Sequence, residues 1–329
     1  MKQDSIGPLV GFEAPTLGPT EVCELAGVDR EVGDALWRAL GFPDVPEGVL
    51  AYTEEDARAL RLAAEGFAEL EPAARADALQ LILREARVLS AHLAALAEAE
   101  LDALAALRER GLRRRLIEQA HRDGLEGSDL GWLITYVLRR QLDAIGRRES
   151  HAGLVSAEGG EELCVGFVDL SDFTALSTQT ELEAIGALLD DFESLAFDVI
   201  AETSGRVVKL IGDEVMFVCP ESRDATRAAL QIIEGCADRG LPAARAGLAE
   251  GRLLRQGGDY LGTPVNRASR ITQAAAAGTV LVDHTVQARL AGADDLRIES
   301  AGERRLKGLG PTRLYRVTGR RATRRAAAR

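Results

Sequence analysis

The residues of this chain whose types and spacing could do chemistry lie in three segments. The segment KLIGDEVMF places a cation and a carboxylate, Lys209 and Asp213, four residues apart around a Gly-Asp turn between two apolar runs. Upstream, GFVDLSDFT places Asp169 at the end of an apolar run, and downstream GDYLGTPVNRASRI supplies an acid, an amide and a guanidinium. Paired carboxylates at strand ends suit hard divalent cations, whereas Lys, Asn and Arg side chains suit a base and phosphates. Together the segments predict phosphoryl chemistry on a nucleoside triphosphate.

The composition restricts the kinds of protein that this chain could be. With 329 residues, of which 46% are apolar, it is long enough for about two domains, each with its own core. The net charge of −12 argues against general affinity for nucleic acid or anionic membranes. Residues 319–329 form a short basic segment, which predicts a solvated tail, with a nucleic-acid or lipid contact as the alternative.

The cysteines and the longest apolar runs predict a cytoplasmic protein. The chain has no CxxC spacing and no signal peptide, so its four cysteines are expected to be reduced and mostly buried; they are Cys23, Cys164, Cys219 and Cys236. No apolar run reaches the roughly 18 residues that a membrane span needs, so we expect no transmembrane segment.

The first half of the chain predicts an all-α domain. Residues 1–18 are rich in Gly and Pro and predict a flexible arm, whereas apolar residues recur at helical spacing through residues 19–147. Thr53 is the expected N-cap of one helix. The long Leu/Ala-rich helices suggest self-association, so we interpret this part as a regulatory and dimerisation domain. Its opening helices resemble a helix-turn-helix, but residues 19–51 are acidic, which argues against binding to nucleic acid.

The second half alternates between short apolar runs and helical patterns. After a linker at 148–161, residues 162–318 predict the order β-α-β-β-α-β, which is a ferredoxin-like sheet with helices on one face. The fold class expected for the chain is therefore α+β, with an all-α domain in front.

Four segments of the second half resemble the class III nucleotidyl cyclase catalytic domain in order and spacing. They are FVDLSDFT, KLIGDEVMF, GDYLGTPVNRASRI and RRLKGLGPTRLYRV. More loosely, AGVDREVGDALWRALGFPDV resembles the regulatory domain of the soluble, pH-sensing, mycobacterial-type adenylate cyclases. This resemblance implies a homodimer that converts ATP to 3′,5′-cyclic AMP and pyrophosphate. Each subunit would supply the metal-binding half of one site and the base-binding half of the other.

The resemblance also assigns the metal ligands and the residues that recognise the base. Asp169, Leu170 and Asp213 would hold two Mg²⁺ or Mn²⁺ ions, although a single Asp in such a position could simply end a strand or make a turn. Lys209 and Asp259 would recognise adenine, because a Lys donor and an Asp acceptor complement its N1 acceptor and N6 donor. A surface lysine is the alternative for Lys209, but its apolar neighbours would make an unpaired ammonium costly.

Further residues are expected around the ribose and the phosphates. Asn266 and Arg270, four apart on a predicted helix, would orient the ribose and stabilise charge at the α-phosphate. Phe173 and Thr174 would contribute to substrate binding at the start of the first helix. Lys307 would contact the terminal phosphates, with a solvated hairpin lysine as the alternative.

The chain departs from the family pattern at Asp172, where Gly is common. An acid there could cap the helix, repel the γ-phosphate or act as a spare metal ligand. It could also have ended turnover, so a non-catalytic nucleotide-binding regulator is the alternative function. Retention of both predicted metal carboxylates argues against that alternative.

The means of regulation is open at the level of sequence. Domains related to the first half sense pH and bind fatty acids, so pH or an apolar effector such as a fatty acid is expected to act through this half. His92, His121 and His151 lie there or in the linker, and His151 is the candidate pH switch, with an ordinary helix residue as the alternative.

Overall fold

The computed structural model describes residues 14–65, 70–109, 128–152, 160–178 and 180–319. By its internal contacts the chain divides into two units, residues 1–147 and 148–329. Most of the expected arm, residues 1–13, lies outside the described part, as do residues 320–329 of the basic tail. The end of the arm is held in place, because the amide of Leu17 donates to the carbonyl oxygen of Tyr52 at 2.9 Å.

The described part of the first unit is helical, as predicted. Its helices are α1 (Pro19–Ala26), α2 (Arg30–Ala39), α3 (Glu54–Glu65), α4 (Pro72–Glu109) and α5 (Ser128–Ala152). The last of them continues past residue 147, so residues 148–152 of the expected linker are helical. Thr53 caps α3 as expected: its hydroxyl accepts from the Asp56 amide at 3.2 Å, and Asp56 accepts from the Thr53 amide at 2.7 Å. A small core forms where α1, α2 and α3 bury Val22, Leu36 and Leu60.

The two long helices leave many large apolar side chains exposed. On α4 and α5 these include Leu89, Leu93, Trp132 and Leu138. Neither helix, nor any other in the described residues, is long and apolar enough to cross a membrane. His92 Nδ1 lies 2.7 Å from the carbonyl oxygen of Val88, whereas His121 and the side chain of His151 lie outside the described part.

The second unit is built on one mixed sheet. Its strands are β1 (Glu161–Leu170), β2 (Arg206–Ile211), β3 (Glu214–Cys219), β4 (Ala244–Gln256), β5 (Asp259–Leu261), β6 (Val280–Val282), β7 (Leu296–Leu306) and β8 (Gly310–Gly319). Its helices are α6 (Phe173–Ser177), α7 (Leu182–Ala201), α8 (Ser222–Asp238), α9 (Thr263–Ala274) and α10 (His284–Arg289). The strand order is β2-β3-β1-β4-β6-β8-β7, with β5 paired to β4. The elements β1, α7, β2, β3, α8 and β4 form the predicted βαββαβ unit, which confirms the α+β fold class.

The prediction that helices cover only one face of this sheet is wrong. One core joins the sheet to α7 and α8 and includes Phe192 and Ile232. A second core lies on the opposite face, where α9 contributes Ala268 and Ile271. The sequence of β1 carries the signal for this arrangement, because its apolar residues form a continuous run rather than an alternating pattern.

The cysteines are free and buried, as expected. Cys23 belongs to the core of the first unit, whereas Cys164, Cys219 and Cys236 lie in the core beneath α7 and α8. Burial raises the pKa of the Cys236 thiol to about 11, so this group stays protonated and contributes as a small apolar side chain.

The backbone of β4 fixes the position of α9. Gly247 of β4 faces this helix so closely that a Cβ atom there would lie 2.2 Å from the Thr272 amide nitrogen and 2.7 Å from the Ala268 carbonyl oxygen. Only glycine permits such an approach. As a result, α9 packs directly on β4. This strand is the neighbour of β1, and Asp169 lies at the end of β1.

Candidate active site

The two expected metal-binding carboxylates lie at the same end of the sheet. Asp169 is the penultimate residue of β1, and Asp213 lies in the tight turn between β2 and β3, where Gly212 adopts φ 62°. The Leu170 amide donates to the Asp213 carbonyl oxygen at 3.1 Å, which holds the turn against the end of β1. The sequence separates these two acids by more than forty residues, and the antiparallel pairing of β1 with β3 brings them together.

Arg245 is a residue of this pocket that the sequence reasoning missed. It lies on β4 directly across from Asp169, and its Nη2 and Nε lie 2.6 and 2.8 Å from the same Asp169 oxygen, Oδ2. A single guanidinium inside an otherwise apolar strand, AARAGLA, was the available signal. Asp169 is therefore already paired with a cation of the protein itself.

Acid groups outnumber this one basic group at the end of the sheet. Glu214, across from Asp169 on β3, is partly buried, and burial raises its pKa to about 7, with Asp169 and Asp213 adding to the effect and Arg245 opposing it. Burial likewise raises the pKa of Asp213, and the neighbouring Asp169 contributes in the same direction. This excess of negative charge is what a bound divalent cation would relieve.

The acids open into a pocket of about 630 Å³. Its lining residues are Asp169, Leu170, Asp172, Phe173, Ala175, Thr178, Asp213 and Arg245. The Leu170 side chain has no atom that can bind a metal, so this residue could contribute only its main-chain carbonyl oxygen. Phe173 packs against the core at the start of α6, and Thr174 follows it in that helix, although the Thr174 side chain lies outside the described part.

The donors present here fit Mg²⁺ or Mn²⁺ bound together with a substrate. Within the described residues, no three His, Cys, Asp or Glu side chains converge to hold a metal by themselves. Mg²⁺ is commonly bound by one or two carboxylates, with water and substrate phosphates completing its coordination. Asp169 and Asp213 would supply the protein's share of such a set.

The structure brings Lys209 and Asp259 together, as expected. Lys209 Nζ lies 2.5 Å from Asp259 Oδ2, and the other oxygen of Asp259 accepts from the Tyr260 amide at 2.8 Å. The guanidinium of Arg206 lies 5.0 Å from the centre of the Tyr260 ring, so two contacts tie β5 to β2. A surface lysine stays the alternative for Lys209, because its side chain is 39% exposed on the outermost strand even though it is paired with Asp259.

Asn266 and Arg270 lie on α9 one turn apart. Asn266 is exposed, and the Arg270 guanidinium donates to Gln273 Oε1 at 2.8 Å. Between them, Arg267 anchors the helix by donating to Asp283 Oδ2 at 3.0 Å, and the Asp283 side chain is 0% exposed. On the last hairpin, Lys307 is exposed in the turn between β7 and β8.

Asp172 has a distinctive backbone conformation. It adopts φ 60° and ψ 18°, and it is the only non-glycine residue with positive φ in the part of the chain that the structure describes. This left-handed conformation accounts for the usual Gly at that position, and Asp is among the few other residues that tolerate it. The expectation that its side chain could cap α6 is wrong, because that side chain makes no capping hydrogen bond.

Comparison with known proteins gives several long matches. No family model matches the chain. An adenylate cyclase of Streptomyces coelicolor is 36% identical over 270 residues, which cover 80% of this chain and 69% of that protein. A pH-sensitive adenylate cyclase of Mycobacterium tuberculosis is 34% identical over 325 residues, which cover 94% of this chain and 80% of that protein.

Among solved structures, the adenylyl cyclase CyaB from P. aeruginosa aligns with a TM-score of 0.42 and 25% identity, over 49% of this chain and 95% of that one. Both sequence matches are longer than either unit of the chain, so each includes residues of the helical first unit and of the second unit. The chain belongs to the adenylate cyclase family, as its motifs predict.

Proposed function

We propose that this chain converts ATP to 3′,5′-cyclic AMP and pyrophosphate at sites that two copies form together. One observation carries the proposal. The pocket is lined by Asp169, Asp213 and Arg245. Among the described residues, the other predicted contacts do not belong to its lining; they are Lys209, Asp259, Asn266, Arg270 and Lys307. One copy would therefore present two separate half-sites, and a second copy would complete each of them.

The carboxylates of the first half-site would hold the metal ions. Two Mg²⁺ or Mn²⁺ ions held by Asp169, Asp213 and the main chain of Leu170 would activate the 3′-hydroxyl of ATP and neutralise the departing pyrophosphate. Arg245 would then exchange part of its contact with Asp169 for a contact with a phosphate oxygen, because a guanidinium binds both kinds of oxygen in the same geometry.

The second half-site would recognise the base and hold the ribose. Lys209 would donate to adenine N1 and Asp259 would accept from the N6 amino group, and their mutual contact already places both groups side by side. Guanine offers the opposite pattern at these positions, which would leave both side chains unpaired.

The helix α9 would supply the remaining contacts of the second half-site. Asn266 would orient the ribose, and Arg270 would stabilise charge at the α-phosphate. The ion pair of Arg267 with Asp283 supports these roles, because it holds the helix that carries both residues. Lys307 would contact the terminal phosphates from its exposed turn.

The first unit would regulate this activity. Its relative in Mycobacterium tuberculosis is described as pH-sensitive and matches 94% of the chain, which supports a regulatory role for this unit here. A fatty acid or other apolar effector, and a switch at His151, stay predictions. The alternative of a non-catalytic nucleotide-binding regulator would apply if the chain binds ATP without turning it over.

Complementation between two inactive variants tests the shared site. Each assayed alone with Mn-ATP, Asp213→Ala should abolish cyclic AMP formation and Lys209→Ala should lower it at least tenfold. Mixed in equal amounts, they should recover about one quarter of the wild-type rate, since half of the dimers would be mixed and each would hold one intact site. No recovery, with both variants folded and exchanging subunits, would refute the shared site. A wild-type chain that binds ATP but forms no cyclic AMP would support the non-catalytic alternative.

A further inference from the structure

We propose that Asp172 sets the affinity for the triphosphate by placing a fixed negative charge at the pocket where the phosphates bind. This inference rests on the proposed function, since it assumes that the pocket beside Asp169 and Asp213 receives the phosphates of ATP. It concerns a residue at which the chain departs from the Gly that is common in the family.

The backbone fixes where this charge lies. Asp172 lines the pocket together with Asp169 and Asp213, and its left-handed conformation at φ 60° places it in the turn that joins β1 to α6. Its side chain is exposed and makes no capping hydrogen bond to α6. The carboxylate is therefore not engaged in holding the helix, and it can act on a ligand in the pocket.

The surroundings do not neutralise this charge. Arg245, the basic residue that lines the pocket, is already paired with Asp169. Within the described residues, Asp172 does not belong to any cluster of three or more Asp, Glu, His or Cys side chains that could hold a metal ion. Asp172 is therefore placed to act on the phosphates through its charge, and a role as a further metal ligand is an outcome that the experiment below distinguishes.

The expected effect is moderate. Unlike a charge buried in a core, an exposed carboxylate acts through water, and dissolved salt screens it. Against the several negative charges of a triphosphate, we expect Asp172 to raise the KM for Mg-ATP about three- to tenfold at low ionic strength.

The substitution Asp172→Asn isolates the charge. Asn has nearly the same shape as Asp and tolerates the left-handed conformation, so the turn is preserved. Glu183→Gln is the matched control, because it removes one negative charge from an exposed position at the start of α7, outside the pocket lining.

The experiment compares the full-length wild type with both variants. The KM for Mg-ATP should fall about three- to tenfold in Asp172→Asn and stay unchanged in Glu183→Gln. The difference should shrink when the salt concentration rises from about 0.05 M to about 0.5 M. Calorimetric titration with Ca-ATP, which does not depend on turnover, should show tighter binding to Asp172→Asn than to the wild type and equal binding to Glu183→Gln and the wild type.

Three results would overturn the inference. In Asp172→Asn these are an unchanged KM, a raised KM, or a higher concentration of Mn²⁺ needed for the half-maximal rate. The last of these results would make Asp172 a metal ligand. Failure of the proposed function is distinguishable, because it would appear as an inactive wild type, and the Ca-ATP titration would still decide the role of Asp172.

Discussion

Arg245 and Asp169 face each other across β4 and β1, and two guanidinium nitrogens of Arg245 lie within 2.8 Å of one carboxylate oxygen of Asp169. The Asp169 side chain is only 16% exposed, so the pair is largely withdrawn from water. Arg245 thereby offsets part of the negative charge that the acids bring to this end of the sheet. Removing it should make the fold depend more strongly on a bound metal.

The first prediction follows from that relationship. Arg245→Met should lower the melting temperature of the metal-free protein, because a partly buried carboxylate loses its partner. Mn²⁺ should then raise the melting temperature of the variant by more than it raises that of the wild type, since the metal replaces the lost positive charge. Thermal unfolding with EDTA and with Mn²⁺ measures both effects. Arg297→Met, which breaks an exposed strand pair with Glu299, should change neither.

The second prediction concerns the pH dependence of stability. Because the pKa of Glu214 is raised to about 7 in the folded protein, the folded state binds more protons than the unfolded state between about pH 4.5 and 7. The free energy of unfolding of the metal-free protein should therefore fall as pH rises through this window. Glu214→Gln should reduce that slope, to which the raised pKa of Asp213 also contributes, and should stabilise the protein at pH 8 by about 1–2 kcal/mol, a value reduced for partial exposure.

Urea unfolding in EDTA at several pH values tests this slope. Glu299→Gln is the contrasting variant, because Arg316 and Arg297 lower the pKa of Glu299. The stability that Glu299 contributes is therefore present at neutral pH and lost as pH falls. An unchanged slope in Glu214→Gln would mean that another group carries the titration.

The sequence predicted the elements of the second unit well because its motifs fall at strand ends and helix starts. The βαββαβ order follows from residue types and their order along the chain, whereas the approach of Lys209 to Asp259 is what the resemblance to the cyclase domain implies. Arg245 was missed because one basic residue in an apolar strand has no partner within the same stretch of sequence. Its partner, Asp169, is 76 residues away and becomes a neighbour only through strand pairing.

The role of Asp172 also could not be decided from sequence. An acid before a short helix usually suggests a cap, and only the backbone angle shows that the residue is left-handed and that its side chain is not capping. The packing of α9 on the second face of the sheet was not predicted, because it depends on the close approach that Gly247 permits. Such contacts are set by packing between distant segments.

The third prediction tests base recognition. Lys209→Met should lower kcat/KM for ATP at least tenfold, because Asp259 would lose its partner and adenine N1 would lose its donor, each worth about 1–3 kcal/mol. The ratio of cyclic AMP to cyclic GMP formed from equal ATP and GTP should fall as well. The fold should be little affected, since both side chains of the pair are more than one third exposed. A rate loss that is equal for ATP and GTP would assign Lys209 a role other than reading the base.

The fourth prediction compares two Arg-Asp pairs of similar geometry and different burial. Arg267 and Asp283 lie 3.0 Å apart with Asp283 0% exposed, whereas Arg227 and Asp295 lie 2.8 Å apart with Asp295 47% exposed. Arg267→Met leaves a buried carboxylate without its cation and should destabilise the protein by about 3 kcal/mol. Arg227→Met should cost less than about 1 kcal/mol, because water solvates the remaining acid.

Urea unfolding of the two variants at neutral pH measures this difference, and cyclic AMP assays measure its consequence for α9. If Arg267 anchors the helix that carries Asn266 and Arg270, Arg267→Met should lower kcat at a temperature where the variant is still folded, while Arg227→Met should leave it unchanged. Equal losses of stability in the two variants would show that burial of Asp283 does not govern the strength of this anchor.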